Sequence, residues 1–146
     1  MTSPFLGRVA PLVGRVIFAA VFALAMAFKF MDVGATAGYI ASIGFPAPLF
    51  FAWVAAFFEL GLVVCFLSGA FFREAAVAAA AYVLFLALAF HGPAHWAANQ
   101  VEFGFFVDHF TFIAGLLFAA AHGPGDVLAV HLRLIGGRNG LFAARA

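Results

Sequence analysis

Long apolar runs dominate the pattern of hydrophobic and polar positions along this chain. Four runs, each bounded by turn residues or charges, cover residues 12–31, 48–68, 75–90 and 105–121. They are continuous and do not alternate as strands do, and a backbone in lipid must form helices or closed barrels. The pattern therefore predicts an all-α membrane protein, built as a bundle of four transmembrane helices.

The length and composition of the chain agree with this class. Of its 146 residues, 67% are hydrophobic and 9% are charged, whereas an ordinary soluble domain has about 25% charged residues. Four spans of about 20 residues with their loops use the whole chain, so we expect a single domain over residues 1–146. The last two runs are short, and their helices should tilt little or extend into flanking residues.

The basic residues are distributed unevenly between the two sides of the predicted bundle. Six of the seven fall before the first span or near its start, between the second and third, or after the fourth: Arg8, Arg15, Arg73, Arg133, Arg138 and Arg145. Because cytoplasmic loops are rich in Lys and Arg, both termini should be cytoplasmic, with the chain in the inner (plasma) membrane. An A-x-A pattern at residues 25–27 fits signal-peptide cleavage, but the apolar run continues past it, which favours an uncleaved span.

The segment after the fourth span has an amphipathic pattern of its own. It begins at Gly123, and Asp126 is a candidate N-cap for a short helix. Its apolar positions are Val127, Leu128, Val130, Leu134 and Ile135. We expect a short C-terminal interfacial helix on the inner leaflet. A frayed tail is the alternative, because Gly136, Gly137 and Gly140 follow closely.

Cysteine usage and charge clustering exclude two classes of function. The one cysteine, Cys65, lies inside an apolar run, so this chain has neither a disulfide framework nor a CxxC thiol relay. Clustered Arg and Lys with interleaved exposed aromatic residues are missing from the sequence, so nucleic acid is not an expected partner. The expected surroundings are the lipid bilayer and other membrane subunits.

Glu59 is the only formally charged residue in the second run. It lies about 16 Å from the outer end of that helix, near the bilayer midplane. A charge there costs about 2.5 to 3.5 kcal/mol, so it should face the bundle interior with a partner or be protonated. Tyr82 is at the same depth, Lys29 leans toward Glu59, and Thr111 lies at an intermediate depth. The alternatives are a purely structural helix–helix hydrogen bond for Glu59 and snorkelling to the interface for Lys29.

A second polar layer is predicted near the outer ends of three helices. Its members are Lys29, His91, Asp108 and His109. The loop over residues 91–104 should cover this layer, because Gly92-Pro93 prevents the third helix from continuing. Asp108 and His109 have an alternative interpretation as ordinary boundary residues at the start of a helix.

The histidines of this layer have two further interpretations, as metal ligands and as haem ligands. His91 and His95, with His109 and either Asp108 or Glu102, would complete four ligands. The intervening Gly-Pro disfavours this set, because the spacing does not place both histidines on one helical face. Bis-histidine haem ligation by His91 and His109 has no other support in the chain. We expect no metal.

The order and spacing of these residues resemble the DoxX family of small four-span bacterial membrane proteins, from about Gly14 to Ala121. The matching elements are GRVIF at 14–18, Lys29, YIASIGFPAP at 39–48, FELGLVVCFLSG at 58–69, REAA at 73–76, His91 and HFTFIAGLLF at 109–118. The family usually has a Lys-Asn-like pair at the head of the fourth span, where this chain has Asp108-His109.

The resemblance implies a four-helix bundle and a membrane subunit of an oxidoreductase complex that binds or reduces quinone in an outward-facing pocket. Quinone would be held without a covalent bond, between apolar walls and hydrogen-bonding groups. The candidate catalytic residues are Glu59, Lys29 and His91, and the candidate substrate-binding residues are Tyr82, His109, Asp108 and Thr111. Electrons would come from another subunit, because the chain has no dinucleotide fingerprint and no cysteine cluster.

The sequence is also compatible with two other functions. The chain is a non-catalytic scaffold if its Ala, Gly and Phe faces only pack against other membrane proteins. A path for a small solute or ion would use the same intramembrane charges, but four helices enclose little room and the sequence shows no inverted repeat.

Overall fold

The computed structural model describes residues 4–134. Its helices are α1 (Pro4–Met31), α2 (Val33–Ser42), α3 (Pro48–Ser68), α4 (Phe72–Phe90) and α5 (Gln100–His122), with one 3₁₀ turn at Pro93–His95. No β-strand occurs among these residues, which confirms the all-α class.

Four of the helical segments are long and apolar enough to cross a membrane: Phe5–Met31, Pro48–Ser68, Phe72–His95 and Gln100–His122. The chain is therefore a multi-pass membrane protein, as the sequence predicts. The two short runs are extended by flanking residues, since α4 begins at Phe72 and α5 begins at Gln100. Both helices thereby reach the length of about 20 residues that a span needs.

Helix α3 begins and ends where the sequence predicts. Pro48 occupies its first turn, where a backbone N–H has no intrahelical acceptor. Gly69 ends it with φ of +80°, and its N–H donates to the Cys65 carbonyl at 2.8 Å. A Cβ on Gly69 would lie 3.0 Å from the Cβ of Ala129, so both the conformation and the space require glycine here.

Helix α2 is not among the predicted elements. It has ten residues and begins after Asp32, whose Oδ1 accepts a hydrogen bond from the Ala35 N–H at 2.8 Å. This side chain satisfies one of the backbone donors that a helix start leaves open. α2 packs against α3 and α1, with Ile40 buried. It was missed because ten mostly small residues give too short a pattern to predict a helix.

The described chain groups into two compact units. The first contains the chain up to Ala70 and the segment Pro124–His131. Here α3 packs against both α1 and α2, and the fully buried Phe66 contacts the rings of Phe18 and Phe22, with centroids 5.7 and 5.8 Å away. Such ring pairs stabilise the contact beyond the burial of their area.

The second unit contains Phe71–Gly123 and, at the end of the described chain, residues 132–134. α4 packs against α5, and the 3₁₀ turn also contacts α5. The buried residues of α4 are mostly small: Phe72, Ala75, Ala76, Ala79, Ala80, Val83, Ala87 and Phe90. The expectation that residues 1–146 form a single domain stays a prediction.

The predicted helix after Gly123 is wrong over the described residues. No helix occurs from 123 to 134, and the side chain of Asp126 is exposed. The backbone of this segment bonds to other parts of the chain: the Val130 N–H donates to the Ser68 carbonyl at 2.8 Å, and Arg15 holds three of its carbonyls. Ile135, Arg138, Arg145 and the glycines that motivated the frayed alternative lie outside the described residues.

Candidate functional site

A buried ion pair joins α1 and α3 in the first unit. Lys29 Nζ lies 2.9 Å from Glu59 Oε1, and it also lies 3.5 Å from the Ala25 carbonyl. The Glu59 side chain is 2% exposed and the Lys29 side chain is 19% exposed. Both residues belong to candidate membrane spans, so the pair brings opposite charges together where neither could be well hydrated.

The direction of side chains in helices explains why these two residues meet. Lys29 lies in the last turn of α1, and its Cα–Cβ bond tilts back toward the start of that helix. Glu59 lies eleven residues after Pro48, about 16 Å along α3, and tilts toward Pro48. The expected approach of the two side chains is confirmed, and the Lys29 ammonium bonds to the carboxylate instead of snorkelling to the interface.

A cluster of two histidines and a glutamate lies in the second unit, where α4 ends. His91 follows the last residue of α4, and its Nδ1 lies 2.6 Å from Glu102 Oε2 on α5. Trp96 Nε1 donates to the His91 carbonyl at 2.8 Å, which fixes the loop against the end of α4. The rings of His91 and His109 have centroids 4.9 Å apart. α5 therefore presents two titratable side chains to His91.

The hydrogen bonds of this cluster determine which ring nitrogens hold protons. His109 Nδ1 lies 2.6 Å from the Phe105 carbonyl, which can only accept, so Nδ1 of His109 donates. Nδ1 of His91 likewise donates to Glu102 when that carboxylate is ionised. In the neutral form of either ring, Nε2 is then an acceptor.

Arg15 is a buried structural side chain whose role the sequence did not show. It is 2% exposed and donates five hydrogen bonds, all to backbone carbonyls. The acceptors are Phe66 (3.0 Å) and Leu67 (2.7 Å) at the end of α3, and Pro124 (3.2 Å), Val127 (3.1 Å) and Leu128 (2.9 Å) after α5. The guanidinium therefore stabilises the C-terminal end of α3, where the helix dipole is negative and carbonyls lack partners.

Arg73 acts in the same way on α5 in the second unit. Its Nη1 donates to the carbonyls of Ala120 and Ala121, and its Nη2 donates to that of His122 at 3.1 Å. Gly123 follows with φ of +88°, and a Cβ there would lie 3.0 Å from the Arg73 guanidinium. Arg15 lies in the motif GRVIF and Arg73 lies in the motif REAA, so both belong to the elements on which the family resemblance rests.

The family model for DoxX matches residues 10–92. The chain belongs to the DoxX family. The matched stretch includes Arg15, the Lys29–Glu59 pair, Arg73 and His91. No curated protein and no solved structure matches the sequence.

The remaining predicted residues of this DoxX protein are distributed around α4 and α5. Tyr82 is half-buried on α4. Asp108 and Thr111 on α5 are exposed, and Asp108 lies about 100° around the helix from His109. The structure thus brings Lys29 to Glu59 in one unit and His91 to His109 in the other, and it leaves Asp108 and Thr111 outside both clusters.

The described part of the DoxX chain contains no set of ligands for the metal site considered from the sequence. Within residues 4–134, no three His, Cys, Asp or Glu side chains are grouped closely enough to hold a metal ion. His95 is half-buried in the 3₁₀ turn.

Proposed function

We propose that this DoxX protein is the membrane subunit of an oxidoreductase complex and that it binds the head group of a quinone. The observation that supports this function is the Lys29–Glu59 pair, a carboxylate and an ammonium 2.9 Å apart inside two spans. An intramembrane ionisable residue marks a ligand site or a proton path by default, because a purely apolar contact would be cheaper to bury.

The chemistry of quinone reduction matches these side chains. Each quinone takes up two electrons and two protons to give the hydroquinone. The ammonium of Lys29 can donate a hydrogen bond to a quinone carbonyl, and Glu59 can hold a proton and release it to the reduced ring. In the second unit, His91 and His109 are further proton carriers near the end of α4, with Glu102 orienting His91.

Aromatic side chains near the ion pair supply a suitable apolar environment. Phe30 follows Lys29 directly, and its ring contacts Trp53 and Phe57 on α3, with centroids 5.9 and 5.4 Å away. All three rings are partly exposed, so a planar ring can stack against them. Electrons would come from a partner subunit with a redox cofactor, because Cys65 is the one thiol in the sequence.

The first test compares Glu59→Gln with the unchanged protein. This substitution keeps the shape of the side chain and removes its proton chemistry. We expect the complex to assemble normally and its rate of quinone reduction to fall about 10²-fold or more, as for loss of a general acid–base group. The measurement is turnover with decylubiquinone and with menadione, using the complex purified in mild detergent. Asp126→Asn, which neutralises an exposed acid outside the spans, is the matched control.

Two results would remove the proposal. One is full quinone-dependent turnover in both Glu59→Gln and His91→Ala, and the other is an absence of saturable quinone binding by the pure protein. Either result favours a non-catalytic scaffold. That alternative is supported by the small buried residues Ala52 and Ala56, which permit close helix packing.

We further propose that both termini are cytoplasmic, because Arg8, Arg15, Arg73 and Arg133 are then all on the inner side. Single cysteines at Ala98 and at Asp126, in a Cys65→Ala background, test this orientation. A membrane-impermeant maleimide should label the first in intact spheroplasts and the second only after lysis. The opposite labelling would reverse the topology.

A further inference from the structure

The side of α5 that faces away from His91 has an unusual composition for a membrane span. Residues 104, 108, 111 and 115 recur at intervals of four, three and four, which places them on one helical face. They are Gly104, Asp108, Thr111 and Gly115. Glu102, His109 and the buried Leu116 lie on the opposite side of the helix, where α4 packs. We call the four residues the α5 polar face.

Asp108 is the charged residue of the α5 polar face. It lies eight residues after Gln100, about 12 Å along the span, and its side chain is exposed. Among the described residues, no hydrogen-bond or ion-pair partner of Asp108 or of Thr111 occurs. Asp108 belongs to the candidate span Gln100–His122, and a carboxylate in contact with acyl chains is strongly disfavoured. A group that replaces lipid over the α5 polar face would remove this cost.

The glycines indicate what kind of group covers it. A Cβ on Gly104 would have no atom within 4 Å, so packing within the described chain does not require glycine there. Small residues at this spacing let a second helix approach the backbone closely, as they do in helix pairs of other membrane proteins. A flat strip of Gly104, Thr111 and Gly115 with one acid in it fits a helix better than it fits lipid.

We propose that the α5 polar face binds a transmembrane helix of a different protein, and that this helix has a Lys or Arg side chain at the depth of Asp108. Charge complementarity selects the partner, because a carboxylate that leaves water needs a cation or several donors in return. A second copy of this chain is a poorer match, since two-fold packing of α5 on itself would place Asp108 against Asp108.

This inference rests on the proposed function in one respect: it assumes that the protein is a subunit of a membrane complex, and it describes the partner helix in that complex. It is independent of quinone chemistry, because Lys29, Glu59 and His91 take no part in it. If the protein fails to bind quinone, the proposed interface is unaffected. If the interface does not form, the proposal that the isolated protein binds quinone is unaffected.

The experiment begins with photo-crosslinking in membranes of the organism that encodes the protein. Benzoylphenylalanine replaces Gly104, where the open space accommodates a larger side chain, and replaces Leu24 as a control on the exposed side of α1. We expect a cross-link from position 104, and not from position 24, to a transmembrane helix that contains Lys or Arg. Asp108→Asn should then lower co-purification of that partner at least about tenfold.

Charge exchange provides the decisive step. Asp108→Lys should abolish co-purification, and replacing the basic residue of the partner helix by Asp should restore it to within about threefold of the original level. Glu59→Gln should leave the cross-link yield unchanged, which separates assembly from quinone reduction. A cross-link to lipid alone, to a second copy, within the chain, or to a helix without Lys or Arg would overturn the proposal, as would a failure of charge exchange.

Discussion

Replacing Arg15 by methionine is expected to cost the protein about 3 to 5 kcal/mol of its free energy of unfolding. The substitution removes five charge-assisted hydrogen bonds and leaves carbonyls at the end of α3 and after α5 without their donors. Each such bond contributes about 1.5 to 3 kcal/mol, but the five share one group and are not additive. Titration with SDS in mixed micelles, followed by circular dichroism, measures the loss.

Two matched variants separate the hydrogen bonds from the charge. Arg8→Met removes an exposed cation from the same helix and should change stability by less than about 0.5 kcal/mol. Arg15→Lys keeps the charge, but an ammonium has three donors and no planar fork, so it should recover less than half of the loss. Equal stability of Arg15→Met and Arg8→Met would mean that the carbonyl contacts stabilise nothing.

Lys29→Met is expected to have the second large effect, a loss of about 3 to 5 kcal/mol in the same titration. The reason is that Glu59, whose side chain is 2% exposed, keeps its buried carboxyl and loses the ammonium 2.9 Å away. Met has nearly the length of Lys, so the volume of the site changes little.

The double variant Lys29→Met with Glu59→Leu checks the cause. Removing both charges should restore most of the stability, because an apolar pair of similar volume is often as stable as a buried ion pair. The double variant should therefore be more stable than Lys29→Met alone. If the two single losses simply add, the pair is not coupled and the ion-pair interpretation is wrong.

The sequence predicted the helices that cross the membrane because hydrophobic length is a strong local signal. Pro48 and Gly69 also marked the bounds of α3 directly, since one removes a backbone donor and the other permits a positive φ. Helix α2 and the conformation of residues 123–134 were not predicted correctly. α2 is short, and its start depends on the Asp32 cap, while the later segment is fixed by bonds to residues distant in sequence.

Only part of the candidate site could be predicted, because only some of its contacts follow from local helical geometry. Lys29 and Glu59 could be paired from depth and side-chain direction, because both quantities follow from helical geometry. The roles of Arg15 and Arg73 could not, because their partners are backbone carbonyls, which every residue has and no sequence pattern marks. Both arginines had been counted only as charges on the cytoplasmic side.

The five acceptors of Arg15 become available at different times during synthesis. During synthesis, Phe66 and Leu67 follow Arg15 by about 50 residues and become available as soon as α3 is inserted. Pro124, Val127 and Leu128 are made more than 100 residues after Arg15, once α4 and α5 have left the ribosome. The guanidinium of Arg15, made early, therefore obtains three of its five backbone acceptors only when the last part of the described chain has been made.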